Sequence, residues 1–446
     1  VALPLPLAEP YTDRIPAAFR DRAVPGARVV VPVRNAEMVG ILTGLSTEQP
    51  SRETRAILAA PDPLPAISDA LLRTAEWMAG YYGAPLGLAI RAMLPAALWG
   101  RSRLVAHVAD RAAMPGGFGA DLVRWMGGRG GTASASALAR AFRKPVWDTL
   151  ARLERVGAVT LDVEPADSGA AAATERILVL TDLRPSLAAR EELFGKALAQ
   201  RRLYEALEDL GGSAPLNHLR DQMGFSDHAI RALTARGLSA IEKIERIRDP
   251  FSDTAGTPPP ETPAPAQREA LETLSTLESG NPAVLFGVTG SGKTFVYLEM
   301  IREALASGRG AILLVPEISL TPQIVARVRG AFGEEVAVLH SGLSDGERAD
   351  AWRVLHRGDR RVAVGARSAI FAPVRDLGVI VIDEEHETGY KNGETPRYHA
   401  RDVALVRARL EGARLVLGSA TPAAETMAAV EQGVPLIRMP QRIEAR

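Results

Sequence analysis

The 446-residue sequence contains no cysteine. This absence excludes disulfide bonds, thiolate nucleophiles and every zinc site that needs cysteine ligands. The sequence also lacks an apolar run near the ~18 residues of a membrane-spanning helix, because Arg91 interrupts the longest candidate at 85–98. Its first residues have neither the basic start nor the apolar core of a secretory signal. We therefore expect a cytoplasmic protein without a membrane partner.

Charge of either sign is not in excess, since 53 Lys and Arg residues balance 53 Asp and Glu residues. Neutral net charge does not exclude nucleic-acid binding, because a basic patch can be balanced elsewhere on the molecule. Lysine is scarce among the basic residues, with five in all. A lysine in such a sequence can mark a place where a compact ammonium is needed, and Lys293 and Lys391 both fall within motifs. Chance survival is the alternative for the other three lysines.

The first 250 residues read as two regions, 1–105 and 106–250. Two short strands within 27–45, joined by a turn, indicate a small β-rich domain, and apolar spacing predicts a helix over 71–82. From 106 to 250 the order helix, helix, helix, strand occurs twice, which is the order of a winged helix. Such trihelical units contact DNA in some proteins and serve as spacers or protein-docking modules in others, so both interpretations stay open.

A proline-rich stretch at 251–266 predicts an extended, semi-rigid linker. Beyond it, in 267–446, short apolar runs alternate with helical segments, which favours a parallel sheet covered on both faces. The predicted strands are 284–286, 311–315, 336–339, 362–364, 379–382 and 415–417. The sequence thus predicts a multidomain α/β protein that ends in a nucleotide-binding lobe.

The segment GVTGSGKT at 287–294 fits G-x-x-x-x-G-K-T between a predicted strand and an amphipathic helix. Such a loop curls its backbone N–H groups around phosphate oxygens at a helix N-terminus. Lys293 is expected to reach the β- and γ-phosphates, and the Thr294 hydroxyl to ligate Mg²⁺. The alternative is a glycine-rich turn without a ligand. The predicted nucleotide-binding residues are Gln267, Gly287, Thr289, Gly290, Ser291, Gly292, Lys293 and Thr294.

Gln267 is included because its side-chain amide could read the adenine edge with a paired donor and acceptor, although a surface glutamine is the commoner case.

A second motif, VIVIDEEH at 379–386, ends a buried strand with acidic residues. Asp383 is expected to hold Mg²⁺ and Glu384 to polarise an attacking water, which makes Lys293, Asp383 and Glu384 the predicted catalytic residues. An acid that merely caps a helix is the alternative.

Aromatic and cationic residues alternate shortly after the acidic motif, in YK at 390–391 and PRYHAR at 396–401. This pattern suits single-stranded nucleic acid, whose bases stack on rings and whose phosphates pair with cations. The alternative is a partly buried loop whose tyrosines pack on the sheet. The predicted DNA-binding residues here are Tyr390, Lys391, Arg397, Tyr398, His399 and Arg401.

Several segments occur in the order and spacing of one protein family. They are GVTGSGKT at 287–294, LVPEISLTPQ at 314–323, HSGLS at 340–344, RSAIFAP at 367–373, the acidic and aromatic segments at 383–401, and GSATP at 418–422. Together they closely resemble the primosomal protein N′ family, the bacterial replication-restart DNA helicases. Residues 1–7 and WMAGYYGAPLG at 77–87 resemble that family's three-prime-end-binding domain.

The resemblance implies a RecA-like first helicase lobe in 267–446, ATP and Mg²⁺ as cofactors, and three-prime to five-prime unwinding. It implies stalled or branched fork DNA and single-stranded DNA as partners, together with primosome proteins, single-stranded DNA-binding protein and the loader of the replicative helicase. It also implies nucleoid association, and a loop around 390–401 that couples DNA contact to ATP hydrolysis.

This sequence departs from the family pattern in two places. The family usually has Phe-Asp-Tyr near Tyr11-Thr12-Asp13 and Pro-Phe-Gly near Pro32-Val33-Arg34, where it binds a DNA three-prime end. Despite these differences, Tyr11, Asp13 and Arg34 stand at the positions that the resemblance implies for DNA binding. Asp13 would take the place of the family's aspartate after a shift of one residue. The family also has a second lobe and cysteine-bound zinc after a position like Arg446, so zinc is expected in the family but not in this chain.

The leading hypothesis is a fork-DNA-binding module joined to one lobe of a replication-restart helicase, which alone is not expected to be a competent motor. A non-enzymatic fork-recognition protein that keeps the helicase fold as a scaffold is the alternative. A nucleotide-switched adaptor or small-molecule kinase is disfavoured by the alternation of aromatic and cationic residues.

Overall fold

The computed structural model describes residues 1–33, 36–48, 50, 54–99, 103–109, 116–144, 146–164, 173–181, 187–195, 197–252, 254, 256, 258 and 262–442. Arg34 lies outside the described residues. The chain divides into two compact units, one formed by 1–171 together with 249–446 and the other by 172–248. Within the described ranges, no helix is both long and apolar enough to cross a membrane.

The first 99 residues form the N-terminal domain, which confirms the two strands and the helix predicted there. Val30 lies opposite Val39 in an antiparallel pair, and Ser68 begins the first helix by accepting a hydrogen bond from the Leu71 N–H at 3.2 Å. The elements are β1 (Arg28–Val33), β2 (Ala36–Ile41), α1 (Asp69–Tyr81) and α2 (Leu86–Met93).

The next segment is a three-helix unit with a small antiparallel sheet, in the strand order β4-β3-β5. Its helices pack around a core that includes Leu122, Leu138 and Leu150. The sequence patterns missed the first strand of this unit. The elements are β3 (Arg103–Val108), α3 (Phe118–Gly127), β4 (Thr132–Ser134), α4 (Ala135–Phe142), α5 (Trp147–Arg155) and β5 (Val159–Glu164).

The compact unit 172–248 repeats this arrangement with the strand order β7-β6-β8. Leu203, Leu219 and Leu233 lie in its core, and a short π-helix at His218–Gln222 stands where the sequence predicts a second helix. The other elements are β6 (Ala173–Leu180), α6 (Leu187–Phe194), α7 (Leu198–Asp209), β7 (Ser213–Pro215), α8 (Asp227–Ala235) and β8 (Ser239–Arg246).

A parallel sheet of seven strands forms the parallel-sheet lobe, residues 262–442, in the order β11-β12-β10-β13-β14-β9-β15. All six predicted strands are present, and the multidomain α/β architecture is confirmed. The elements are α9 (Pro265–Ser275), β9 (Pro282–Gly287), α10 (Lys293–Ala306), β10 (Gly310–Leu314), α11 (Pro322–Phe332), β11 (Val336–Leu339), α12 (Asp345–Arg357), β12 (Val362–Gly365), β13 (Leu377–Ile382), α13 (Ala400–Glu411), β14 (Arg414–Ser419), α14 (Ala424–Glu431) and β15 (Leu436–Met439).

Alternate side chains of the sheet enter two different cores. Ile380 and Ile382 of β13 pack in a core with α12, α13 and the N-terminal-domain helices, whereas Val379 and Val381 pack in a second core with α9, α10 and α11. All six residues of β13 are buried, as expected for a central parallel strand covered on both faces. The N-terminal domain therefore packs directly onto one face of the lobe.

Candidate functional site

The predicted phosphate-binding loop lies between the end of β9 at Gly287 and the start of α10 at Lys293. Gly290 and Gly292 adopt φ angles of +83° and +81°, a left-handed conformation that favours glycine. A Cβ atom on Gly287 would lie 2.5 Å from the Ser291 Oγ, so this position has no room for a side chain. Backbone conformation thus favours glycine at two points of the motif, and close packing favours it at a third.

The Lys293 side chain is buried and joins this loop to the acidic motif. Its Nζ donates to the Gly287 carbonyl at 2.8 Å and lies 3.5 Å from the Glu384 Oε1. Ser291 is also buried, and its hydroxyl has no hydrogen-bond partner among the described residues. A buried unpaired hydroxyl beside a buried cation fits a site that receives an anion, since unpaired buried polar groups are costly.

A cavity of about 570 Å³ opens above the loop and brings most of the predicted nucleotide-site residues together. Its lining comprises Pro258, Gln267, Val288, Thr289, Gly290, Ser291, Gly292, Lys293, Thr294, Phe295, Leu298, Arg327, Asp383 and Glu384. Gly287 is not among these lining residues. Both predicted motifs therefore share one cavity of a size suited to a small ligand.

Gln267 is buried near the N-terminus of α9 and not free on the surface. Its amide oxygen accepts the Ala264 N–H at 2.8 Å, and its amide nitrogen donates to the Gly292 carbonyl at 3.1 Å. The amide therefore joins α9 to the predicted phosphate-binding loop. One amide hydrogen and one oxygen lone pair remain for a ligand.

Sequence reasoning missed Phe295, Leu298 and Arg327 as cavity-lining residues. The first two follow the loop on α10, where their helical spacing could have indicated an apolar wall. Arg327 lies on α11 and carried no local signal, because only the packing of α11 beside α10 brings its cation to the cavity.

Asp383 follows β13 directly and meets two buried tyrosines. The Tyr297 hydroxyl donates to its Oδ1 at 3.0 Å, and the Tyr390 hydroxyl donates to its backbone carbonyl at 2.7 Å. Burial, together with the neighbouring Glu384 carboxylate, raises the pKa of Asp383 to about 6. The same burial raises the pKa of Tyr297, so both tyrosines remain neutral donors.

The acidic motif is tied to the segment that follows β14. The Glu384 Oε2 accepts the Ala420 N–H at 3.4 Å, and Glu384 has a φ of +44°, which is uncommon for a residue other than glycine. The buried Glu385 accepts hydrogen bonds from Arg401 at 3.3 Å and from Thr426 at 2.8 Å. These bonds fix the carboxylates at the carboxyl edge of the sheet.

The structure corrects the prediction for the loop at 390–401. Tyr390 and Tyr398 are 1% and 3% exposed, so in this structure neither ring is available to stack on a base. They pack on the sheet instead, which is the alternative that the sequence left open. Lys391 and Arg397 are exposed, as the DNA prediction requires.

His399 and Arg401 are both only partly exposed. The His399 Nδ1 accepts the Arg401 N–H at 3.2 Å and begins α13, while the Arg401 guanidinium binds Glu385. Both therefore have structural partners within the loop and the acidic motif. Burial lowers the pKa of His399, and the nearby Arg401 adds to this effect.

The predicted three-prime-end residues lie at the start of the N-terminal domain. Tyr11 is 46% exposed, and the Asp13 Oδ2 is buried without a hydrogen-bond partner in the described part of the chain. Burial raises the pKa of Asp13. This carboxylate oxygen therefore has an unused capacity to accept a hydrogen bond.

The residues in the cavity fit ATP and Mg²⁺. The described residues contain no cluster of three or more His, Asp or Glu side chains able to hold a metal by themselves. Mg²⁺ is usually bound by one or two carboxylates together with substrate phosphates, and both Thr294 and Asp383 line this cavity. Their oxygen atoms are ligands of the required kind.

Two family models match the chain. One, described as the 3′ DNA-binding domain (3′BD), matches residues 1–95, and the other, described as DEAD/DEAH box helicase, matches residues 264–430. The two matches coincide with the N-terminal domain and most of the parallel-sheet lobe.

Curated relatives match most of the chain. Replication restart protein PriA of Bacillus subtilis (strain 168) is 35% identical over 449 residues, which cover 98% of this chain and 54% of that protein. The PriA protein of Synechocystis sp. is 34% identical over 98% of this chain and 54% of its own length. That of Chlamydia pneumoniae is 31% identical over 90% of this chain and 45% of its own. The chain spans about half the length of these relatives.

Proposed function

Because this chain belongs to the family of replication restart proteins, we propose that it binds stalled or branched fork DNA and single-stranded DNA and carries an ATP-binding lobe of a three-prime to five-prime DNA helicase. The observation that supports this most strongly is the single cavity that joins the phosphate-binding loop to Asp383 and Glu384. Primosome proteins, single-stranded DNA-binding protein and the replicative helicase loader are the proposed protein partners.

Each residue of the cavity has a proposed role. Lys293 and the loop amides hold the phosphates, and Thr294 and Asp383 hold Mg²⁺, which when bound neutralises phosphate charge. Glu384 orients and polarises the attacking water, and its position is fixed by the Ala420 N–H. Gln267 reads the adenine edge with the hydrogen-bonding capacity that its two intramolecular bonds leave unused.

We propose that the N-terminal domain, with Tyr11 and Asp13, receives a DNA three-prime end, and that the winged-helix-like units add contacts to duplex DNA. Lys391 and Arg397 add cations on the parallel-sheet lobe. Fork affinity should then fall steeply as salt rises, because phosphate contacts release counterions.

ATP turnover by these 446 residues alone is expected to be slow. Charge that develops in the transition state is usually stabilised by an arginine from across a cleft, which is worth about 10³–10⁵ in rate. The cavity described here is built by one lobe. Unwinding of forked DNA by the isolated chain at the rate of a full helicase would contradict this part of the proposal.

Lys293→Ala tests the separation of the two activities. Since the Lys293 ammonium is buried at the loop, we expect nucleotide binding to be lost while fork affinity changes by less than about threefold. Titration with a fluorescent ATP measures nucleotide affinity, and filter binding of forked DNA measures fork affinity. Lys144→Ala, which removes an exposed lysine outside the cavity, should keep nucleotide affinity.

Equal loss of both activities in Lys293→Ala would refute the separation. Fork binding by the unmodified chain without any nucleotide binding would favour the non-enzymatic scaffold instead. Phosphorylation of a small substrate, with no response to DNA, would favour the kinase class.

A further inference from the structure

The edge strand β15 carries the chain alongside the predicted phosphate-binding loop. It pairs in parallel with β9, so that Met439 lies opposite Gly287. The Val288 N–H, one residue into the loop, donates to the Met439 carbonyl at 3.3 Å. A Cβ on Gly287 would lie 3.1 Å from the Met439 Cβ. The end of β15 is therefore held against the start of the loop.

Arg442, which follows β15, extends its side chain along the middle of this loop. A Cβ atom on Gly290 would lie 3.9 Å from the Arg442 Cγ and 4.0 Å from its Cδ, which is van der Waals distance. Gly290 itself lines the cavity. The aliphatic stem of Arg442 thus lies beside the loop, an arrangement in which the charged head of an arginine stays in solvent.

The Arg442 guanidinium has no partner among the described residues. The side chain is exposed and makes neither a hydrogen bond nor an ion pair within the described part of the chain. Arg438 on the same strand differs, because its guanidinium lies 5.7 Å from the centroid of the Phe286 ring. A guanidinium keeps its charge and offers five N–H donors, so that of Arg442 is available to an anion.

The charged side chains inside the cavity nearly balance each other. Its lining holds the cations Lys293 and Arg327 and the carboxylates Asp383 and Glu384. The Lys293 ammonium lies 3.5 Å from Glu384, which offsets part of its charge. A bound triphosphate therefore gains from one more cation at the rim of the cavity.

Deepening the proposed function, on which it rests, we propose that Arg442 is a phosphate-binding residue of the nucleotide site. The loop amides and Lys293 hold the β- and γ-phosphates, and a side chain that lies along Gly290 stands next to these groups. The base is proposed to lie at Gln267. Arg442 is not one of the lining residues, so its guanidinium has to turn over the loop, which an exposed side chain without a partner can do.

The test uses the whole chain, Mg²⁺ and two probes, a non-hydrolysable ATP analogue and inorganic tripolyphosphate, both titrated by calorimetry. Arg442→Gln should weaken binding of both probes about tenfold, because a charged hydrogen bond to phosphate is lost. Arg442→Lys keeps the charge and should restore most of the affinity. Arg438→Gln is the matched control, since it removes an exposed arginine of β15 whose guanidinium lies over Phe286, and it should bind as the unmodified chain does.

Equal affinity of Arg442→Gln and Arg438→Gln for the ATP analogue would overturn the role of Arg442. The proposed function would then still stand, provided that the unmodified chain binds the analogue. Weaker binding of the analogue with unchanged binding of tripolyphosphate would place Arg442 at the nucleoside and also overturn the proposal. Failure of the unmodified chain to bind the analogue would overturn the proposed function itself. Without nucleotide, the melting curves of all variants should coincide, since both arginines are exposed.

Discussion

Tyr297 and Asp383, which lie 86 positions apart in the sequence, meet in a hydrogen bond of 3.0 Å in which the tyrosine hydroxyl donates to the carboxylate. Gly418 makes room for this contact, since a Cβ there would lie 1.7 Å from the Tyr297 hydroxyl. The bond favours the ionised carboxylate and opposes the effect of burial on its pKa. A tyrosine outside both nucleotide motifs therefore helps keep the proposed metal ligand charged.

Tyr297→Phe should weaken binding of Mg²⁺–nucleotide at pH 7 by about tenfold, because a hydrogen bond to a charged group is worth about 1.5–3 kcal/mol. Without this donor, the pKa of Asp383 rises further above its ordinary value. Calorimetric titration with a non-hydrolysable ATP analogue measures the effect. In EDTA the variant and the unmodified chain should bind equally, and an unchanged affinity with Mg²⁺ would contradict the role of Tyr297.

Asp383→Asn should make the nucleotide-free protein more stable. The folded state holds the Asp383 pKa at about 6, above its ordinary value of 3.8. The free energy of unfolding of the protein therefore falls as the pH rises from the ordinary carboxyl pKa through the folded-state value. At pH 7 the neutral amide should raise the free energy of unfolding by about 2 kcal/mol. Thermal unfolding of the variant and of the unmodified chain at pH 7 measures this difference in stability.

The same variant should lose the extra stability that Mg²⁺–nucleotide gives the unmodified chain. A higher melting temperature without nucleotide, combined with no further rise on adding it, is the expected result. A lower melting temperature without nucleotide would show that the carboxylate stabilises the fold.

The local motifs were predictable because neighbours in sequence determine them. The strand β9, the glycines of 287–294 and the start of α10 lie in one continuous segment, and the continuous apolar run of β13 already indicates a strand buried on both faces. The positions of Lys293, Asp383 and Glu384 around one cavity follow from the rule that parallel strands end at a common edge.

What the sequence did not predict depends on contacts between distant segments. The edge strand β15 pairs with β9, so that Leu436 lies opposite Val284, and no local pattern marks that pairing. The Tyr390 ring is buried because it packs in the core on one face of the sheet, where its hydroxyl also donates to the Asp383 carbonyl. An aromatic residue near a cation has the same local pattern whether its ring packs inward or faces solvent, and only tertiary packing separates the two.

Asp249 should be a major contributor to the stability of the parallel-sheet lobe. Its Oδ2 accepts hydrogen bonds from Arg329 at 2.5 Å and from Arg360 at 2.6 Å. Burial by itself would raise the Asp249 pKa, but the bonds from Arg360, the Phe251 N–H and Arg329 lower it. Asp249→Asn should therefore reduce the free energy of unfolding by about 2–4 kcal/mol, because two largely buried guanidinium groups lose their counter-charge.

The contribution of Asp249 is present above the ordinary carboxyl pKa and is lost as pH falls through the lowered folded-state value. Urea unfolding at pH 7 and in acid measures both effects, and the difference between variant and unmodified chain should shrink in acid. Asp69→Asn is the control, because its partner Arg73 is 62% exposed and the change should be below about 0.5 kcal/mol. A difference that persists unchanged at low pH would contradict the assignment.

Tyr82→Phe should loosen the N-terminal domain from the parallel-sheet lobe, since its hydroxyl bonds both His399 and Asp402 across that contact. Removing it leaves the half-buried His399 N–H without its acceptor and should weaken the contact between the two parts by about 1–2 kcal/mol, while the stability of the sheet itself is unchanged. Tyr81→Phe deletes a hydroxyl on the neighbouring, exposed ring and should have no effect. Hydrogen exchange at the His399 amide distinguishes a local loss from a global one, because faster exchange at this amide with unchanged exchange in β13 is expected. Unchanged exchange at His399 in Tyr82→Phe would mean that packing alone holds the two parts together.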